Sequence, residues 1–171
     1  TSDGPGRKGP VTWDPLTGES TPAILGTLLD GRGAGGNTTP YPNRLAPTER
    51  SFYRQSEPYL RAVGPTQFLP STWEGVRAVA DGNDDGVGDP FNYYDGALAT
   101  AVKTCRDGQG LASEAAQRRA ALGYNGACGY GDGVRVKAGE YRGGLAAMGL
   151  GDPASDLRVF PFALLVAIGA V

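Results

Sequence analysis

Apolar residues fall in short runs separated by long polar stretches rich in Gly and Pro. Residues 1–22 show no helical period and read as loop, with a short strand around Val11–Trp13. Ala23–Leu29 is a short apolar run, and residues 30–50 return to loop composition. An irregular stretch of that length is uncommon in a compact domain and is often functional when ordered. Ser51–Arg61 predicts a short helix interrupted at Pro58. Ser71 or Thr72 can cap a helix running through Glu74–Ala80. Asp95–Cys105 is Ala-rich with Asp95 as its cap and Leu98, Ala101 and Val102 on one face. Ser113 caps a further helix to Leu122, and Val134–Tyr141 predicts another with Val134, Ala138 and Tyr141 aligned. Residues 143–155 form a Gly-rich connection. The apolar end, Leu157–Val171, contains a run too short to span a bilayer, which takes about 20 apolar residues, and reads as a core helix. The fold class that follows is mainly α, with long loops and little β.

Length and composition narrow this. A chain of 171 residues fits one domain over 1–171 with a sizeable core. Its 28 Gly and 13 Pro assign much of it to turns, without a repeat. A net charge of -2 supplies no field for nucleic acid or an anionic membrane, and a monomer is expected. The absence of His removes Ser-His and Cys-His nucleophiles and the usual zinc sites, leaving acid–base work to carboxylates or tyrosines. Cys105 and Cys128 allow either one bridge, stabilising by roughly 3 kcal/mol, or two free thiols. A bridge would imply an extracytoplasmic location. The opening Thr1-Ser2-Asp3 is polar, so any export signal is expected to lie outside this sequence.

Two stretches carry candidate chemistry. In Ala62–Trp73, Pro65 and Pro70 flank Gln67 and Phe68, a rigid polar and aromatic segment that can line a groove for a hydroxyl-rich ligand or simply turn the chain. Trp13 and Trp73, the only tryptophans, can stack on a sugar or fill a core edge. In Asp81–Asp89, residues Asp81, Asn83 and Asp85 have the 1, 3, 5 spacing of a calcium loop, with Gly86 at the sharp turn. Val87 would offer its carbonyl and Asp89 the ninth position, whereas the twelfth is Asn92 instead of Glu. The other reading is an acidic surface turn.

Together, GPTQFLPSTW, DGNDDGVGDP, DGALATAVKTC and the later Tyr124-Asn125 resemble the B-type lytic murein transglycosylases, lysozyme-like enzymes, and especially their actinobacterial branch. TPAILGTLLDG (Thr21–Gly31) is similar to the family's P-ILGP-LDG segment, and the likeness covers nearly all of residues 20–142. It implies a lysozyme-like α-helical domain, with 1–61 a loop-rich cleft segment and 62–142 holding the groove motif and calcium-like loop. By the same resemblance Gln67 and Phe68 match the glycan groove, Ser71 the hydroxyl near the catalytic acid, and Tyr124 and Asn125 the pair bordering the cleft. Asp81, Asn83, Asp85, Val87 and Asp89 match a calcium loop found in some members. Thr66 stands where Met is usual, and Gly126 where His or Asn is frequent.

The family's catalytic Glu follows a helix resembling Leu164–Val171 (LLVAIGAV), here at the far end of the chain. That arrangement is expected from a circular permutation, with the Glu just after Val171 or just before Thr1, or from loss of the Glu segment. Glu19, Glu49, Glu57, Glu74, Glu114 and Glu140 all read as solvated charges, Glu19 lying nearest the expected region. The implied reaction cleaves the β-1,4 bond between N-acetylmuramic acid and N-acetylglucosamine with closure of a 1,6-anhydro ring. It needs one carboxyl of raised pKa and no cofactor beyond a structural calcium. The alternative is an inactive peptidoglycan-binding module. The implied partner is peptidoglycan glycan strands, in a bacterial envelope or on a phage virion.

Overall fold

The computed structural model describes residues 11–32, 44–108, 111–126 and 129–147. Among them the protein is mainly α: five α-helices, one 3-10 turn and one two-stranded sheet. The elements in order are β1 (Thr12–Trp13), β2 (Ser20–Thr21), α1 (Pro47–Phe52), α2 (Pro70–Glu74), the 3-10 turn Arg77–Val79, α3 (Tyr93–Gly108), α4 (Glu114–Tyr124) and α5 (Tyr130–Ala147). None of the described helices is long and apolar enough to cross a membrane. The chain divides after Gly96 into two compact units, Thr1–Gly96 and Ala97–Val171.

The first unit is built more from loops than from helices. β1 and β2 pair antiparallel with Trp13 opposite Ser20, forming a strap. Ser20 Oγ donates to the Phe91 carbonyl at 2.7 Å, and Asn92 Nδ2 donates to the Thr17 carbonyl at 2.8 Å. Trp13 rests against Tyr93 and Tyr94, with ring centroids 5.2 and 6.0 Å apart. The apolar run Ala23–Leu29 is extended: Gly26 N donates to Ala62 O and Leu29 N to Leu60 O, and Leu25 bridges Val63. Tyr53, Leu60, Val63, Phe68, Trp73, Val76, Ala80 and Phe91 are buried.

Helix boundaries depart from the periodicity in explicable ways. The helix expected over Ser51–Arg61 lies earlier, at Pro47–Phe52, with proline in its first turn and Glu49 Oε2 accepting from Ala46 N at 2.6 Å. It stops because Arg54 takes φ +52°, a left-handed value that ends a helix. The helix expected through Ala80 is only Pro70–Glu74. Pro70 occupies its first turn, no side chain caps it, and the chain tightens into the 3-10 turn after Gly75. α3 starts at Tyr93, before Asp95, because Asn92 Oδ1 accepts from Tyr94 N at 2.9 Å and takes the capping role.

The face of α3 also differs from expectation. Leu98 is exposed, while Asp95, Ala99, Thr100 and Thr104 are buried. Thr104 satisfies its hydroxyl on the Thr100 carbonyl at 2.7 Å, so a polar side chain is tolerated inside. In the second unit Ser113 caps α4 as expected, its Oγ accepting from Ala116 N at 3.2 Å. α5 runs well beyond Val134–Tyr141. Leu111, Ala120, Ala121, Val134 and Ala138 form the second unit's core, with Cys105, Tyr124 and Tyr130 against it. Tyr141 is exposed, so only two of its three expected face residues point inward. Cys128, the Leu157–Val171 tail and both chain ends lie outside the described residues.

Candidate functional site

The Gly64–Trp73 segment is fixed from within and from below. Gly64 has φ +71°, and a β-carbon there would meet the Pro90 carbonyl oxygen at 1.6 Å. Gly64 N donates to Ile24 O, and Val63 N to Phe68 O at 2.8 Å, which closes a tight turn. Gln67 takes φ +53° at the tip. Its Nε2 donates to the Gly64 carbonyl at 2.8 Å, so its amide braces the turn. Phe68 is 3% exposed and meets Trp73 with ring centroids 5.9 Å apart. This places Phe68 beneath the surface, where it supports the wall. Thr66 is buried beside Gly96. Ser71, in the first turn of α2, is exposed. Of the groove residues expected in this unit, Ser71 is thus the one presenting a solvent-facing hydroxyl.

α2 is anchored by Tyr53. Its buried hydroxyl donates to Glu74 Oε1 at 2.5 Å and lies 3.3 Å from the Pro70 carbonyl. Burial, reinforced by the Glu74 hydrogen bond and charge, pushes the Tyr53 phenol far above its ordinary range. Tyr53 therefore stays a donor. On the other side of Glu74, Arg77 Nη1 lies 3.5 Å from Oε1, and the Arg77 guanidinium stacks 4.1 Å from the Phe52 ring centroid.

The Asp81–Asp89 loop turns through Asp84 (φ +61°) and Gly86 (φ +85°). Asp81 accepts from Asp85 N at 3.0 Å and from Gly86 N at 2.9 Å, one on each oxygen. Asp85 accepts from Val87 N at 2.8 Å and from Asn83 Nδ2 at 2.9 Å. Both Asp89 oxygens are engaged, one by Phe91 N at 2.8 Å and one by Arg54 Nη2 at 2.9 Å. Asn83 Oδ1 is a buried oxygen with no hydrogen bond. That orphan acceptor suits a cation. The donor set as a whole fits less well, since no three acidic or thiol groups among the described residues converge as a metal would require.

Asp95, expected as a helix cap, instead holds the loop shut. Its Oδ1 accepts from Gly82 N at 2.7 Å and its Oδ2 from Asp89 N at 2.8 Å, which closes the loop from inside α3. Burial pushes the Asp95 carboxyl up, against the pull of the Asp89, Gly82 and Asn83 amides. With both oxygens occupied and no exposure, it is a structural carboxylate.

The glutamates have other settings. Glu19 is 45% exposed at its side chain, with Arg54 Nη2 3.9 Å away and Asn92 Nδ2 at 3.4 Å. Its surroundings are charged and polar, unlike the apolar pocket that a general acid needs. Glu57 is held below the usual carboxylate range, first by a backbone hydrogen bond and then by Arg61. Glu114 pairs with Arg118 and Arg135, and Glu140 with Lys137.

In the second unit Tyr124 ends α4, half-buried against the core, and Asn125 follows it, exposed, with its N–H donating to Ala121 O. Burial raises the Cys105 thiol above its ordinary value, which makes it a poor nucleophile. Sequence reasoning missed Tyr53, Arg54 and Arg77, which organise the first unit. Tyr53 and Arg54 are marked only by contacts with carboxylates 21 and 35 positions away, which no local spacing shows, whereas Arg77 has Glu74 at the i,i+3 spacing.

No protein-family model matches this chain, and no curated protein or solved structure matches it.

Proposed function

We propose that the chain is a lysozyme-like, extracytoplasmic peptidoglycan domain of the lytic transglycosylase type, with Gly64–Trp73 as one wall of its glycan cleft. The observation that carries this is the built-in rigidity of that segment around an exposed hydroxyl. Gly64 on Pro90, Gln67 on Gly64 and Phe68 on Trp73 hold the turn, while Ser71 faces solvent. Preorganised polar groups on a fixed wall suit a ligand recognised through hydroxyls and amides.

In the proposed reaction a single carboxyl protonates the leaving glycosidic oxygen. The same group then takes the proton of the muramyl 6-hydroxyl as that oxygen closes on C1, so the carboxyl is regenerated and no water is consumed. By resemblance, Ser71 would support it and Gln67 and Phe68 would shape the wall in the first unit, and in the second unit Tyr124 and Asn125 hold the family's supporting and cleft-bordering positions. By resemblance the acid is a Glu expected just after Val171 or just before Thr1, outside this sequence. A calcium ion, held by Asp81, Asn83 and Asp85, would stiffen the loop beneath the wall, and Asn83 Oδ1 supports that role.

A second reading is a binding module without turnover. It is favoured by the settings of the described glutamates, among which Glu19 sits beside Arg54. Incubation of the chain with purified murein, followed by mass spectrometry, separates the two. Anhydro-muropeptides, from the chain as given or once Glu is appended after Val171, support the enzyme. Sedimentation with murein but no product from either form supports the module, and neither binding nor product removes both.

A further inference from the structure

Below α2 lies a hollow of about 460 Å³, lined in part by Glu74, Arg77, Asp81 and the Gly86–Gly88 backbone. Its size is within the range of small-ligand sites, roughly 300–1,000 Å³. Two features show a built charge arrangement. Glu74 is positioned by the Tyr53 hydroxyl at 2.5 Å, and Arg77 is positioned by the Phe52 ring at 4.1 Å. Each charge therefore has its own aromatic support, so their mutual contact, a long 3.5 Å between half-exposed groups, is open to exchange. Glu74 Oε2 takes no part in either contact. Ala78, Gly86, Val87 and Gly88 complete the lining. A β-carbon at Gly86 would meet nothing within 4 Å, whereas one at Gly88 would strike the Arg77 carbonyl at 2.6 Å.

A carboxylate and a guanidinium side by side on one hollow complement a ligand bearing an ammonium and a carboxylate together. We propose that this hollow takes a zwitterionic amino-acid end, its carboxylate on Arg77 and its ammonium on Glu74 Oε2, while both Asp81 oxygens stay on the Asp85 and Gly86 amides. Guanidinium–carboxylate pairing is geometrically specific, and an ammonium is a compact point charge suited to a carboxylate oxygen. The source of such an end rests on the peptidoglycan reading: a stem peptide whose diamino acid carries amine and carboxylate on one terminal carbon. The site would read the peptide while the Gly64–Trp73 wall reads the sugar.

The test is an NMR titration of the isotope-labelled full chain with the sugar-free tripeptide alanyl-γ-glutamyl-diaminopimelate. The backbone amides of Arg77 and Gly86–Gly88 are expected to shift. Acetylating the terminal amine, amidating the terminal carboxylate, or substituting Arg77→Ala should each raise the dissociation constant at least about tenfold. The proposal is overturned if those amides do not move, or if either blocked tripeptide binds as well as the free one. The blocked ligands keep the test valid even if the variant misfolds. Glycan strands stripped of peptide, added to the same protein, report on the wall at Ser71 separately, so failure of the glycan reading is distinguishable from failure of this one.

Discussion

Gly64 lies against Pro90 so closely that a side chain at position 64 would place its β-carbon 1.6 Å from the Pro90 carbonyl oxygen. The groove-like turn and the end of the acidic loop thus share one backbone contact. Gly64→Ala is expected to cost on the order of 2–4 kcal/mol, combining left-handed strain with displacement of backbone. Gly86→Ala has the same sign of φ but open space, and should cost only about 1 kcal/mol. Urea denaturation of the two variants measures the difference.

Tyr53→Phe removes one hydroxyl and leaves the ring. Glu74 is half-exposed and can recover water, so the loss should be about 1 kcal/mol. A larger effect is expected on α2, read as faster amide exchange at Trp73 and Glu74.

Asp95 gives the pH dependence. Burial raises its carboxyl in the folded protein, so the folded state keeps the proton to higher pH than the unfolded chain. Its contribution is fully present below the ordinary aspartate value and is lost as pH rises through the raised one. Asp95→Asn lacks this slope. The stability of the native protein minus that of the variant should therefore fall as pH rises from the ordinary aspartate value through the raised one. Denaturation midpoints measured over a pH series from acid to neutral check it, and a difference that grows with pH would mean that the backbone amides outweigh burial.

If Asn83 Oδ1 faces a cation, millimolar calcium should raise the melting temperature by a few degrees, the linkage expected for a ligand that binds only the folded state. The rise should vanish with chelator and in Asp85→Ala. Equal melting temperatures with calcium and chelator would remove calcium from the proposal.

Ser71→Ala should leave the melting temperature unchanged, since Ser71 is exposed. Binding to peptide-free glycan strands should weaken about tenfold, the worth of one hydrogen bond of ~1.4 kcal/mol.

Parts of this architecture were legible in the chain because they rest on local chemistry. Ser113 announces α4 through its capping hydroxyl, and the Asp81–Gly86 spacing announces a tight acidic turn. α5 extends past its expected bounds because Gly131, Gly133, Gly143 and Gly144 lower helix propensity without preventing the helix. The inward face of α3 was hidden because it is partly polar: Asp95, Thr100 and Thr104 are buried, while the expected Leu98 is exposed. Asp95 read as a cap because a cap and a loop anchor share a residue type; only the Gly82 and Asp89 amides, brought near by the fold, distinguish them. The acid of the proposed reaction falls in none of the described residues, so its place is set by resemblance.

The strap at β1 and β2 has a consequence for how the molecule comes together. Its anchors join residues 71 and 75 positions apart, Ser20 to Phe91 and Asn92 to Thr17. During synthesis, then, the strap emerges long before the segment that receives it. Closing so large a loop is slow. The exposed aromatic face of Trp13 must wait for Tyr93 and Tyr94. The first unit should therefore acquire its final form late, when its own C-terminal edge leaves the ribosome and the N-terminal strap folds down upon it.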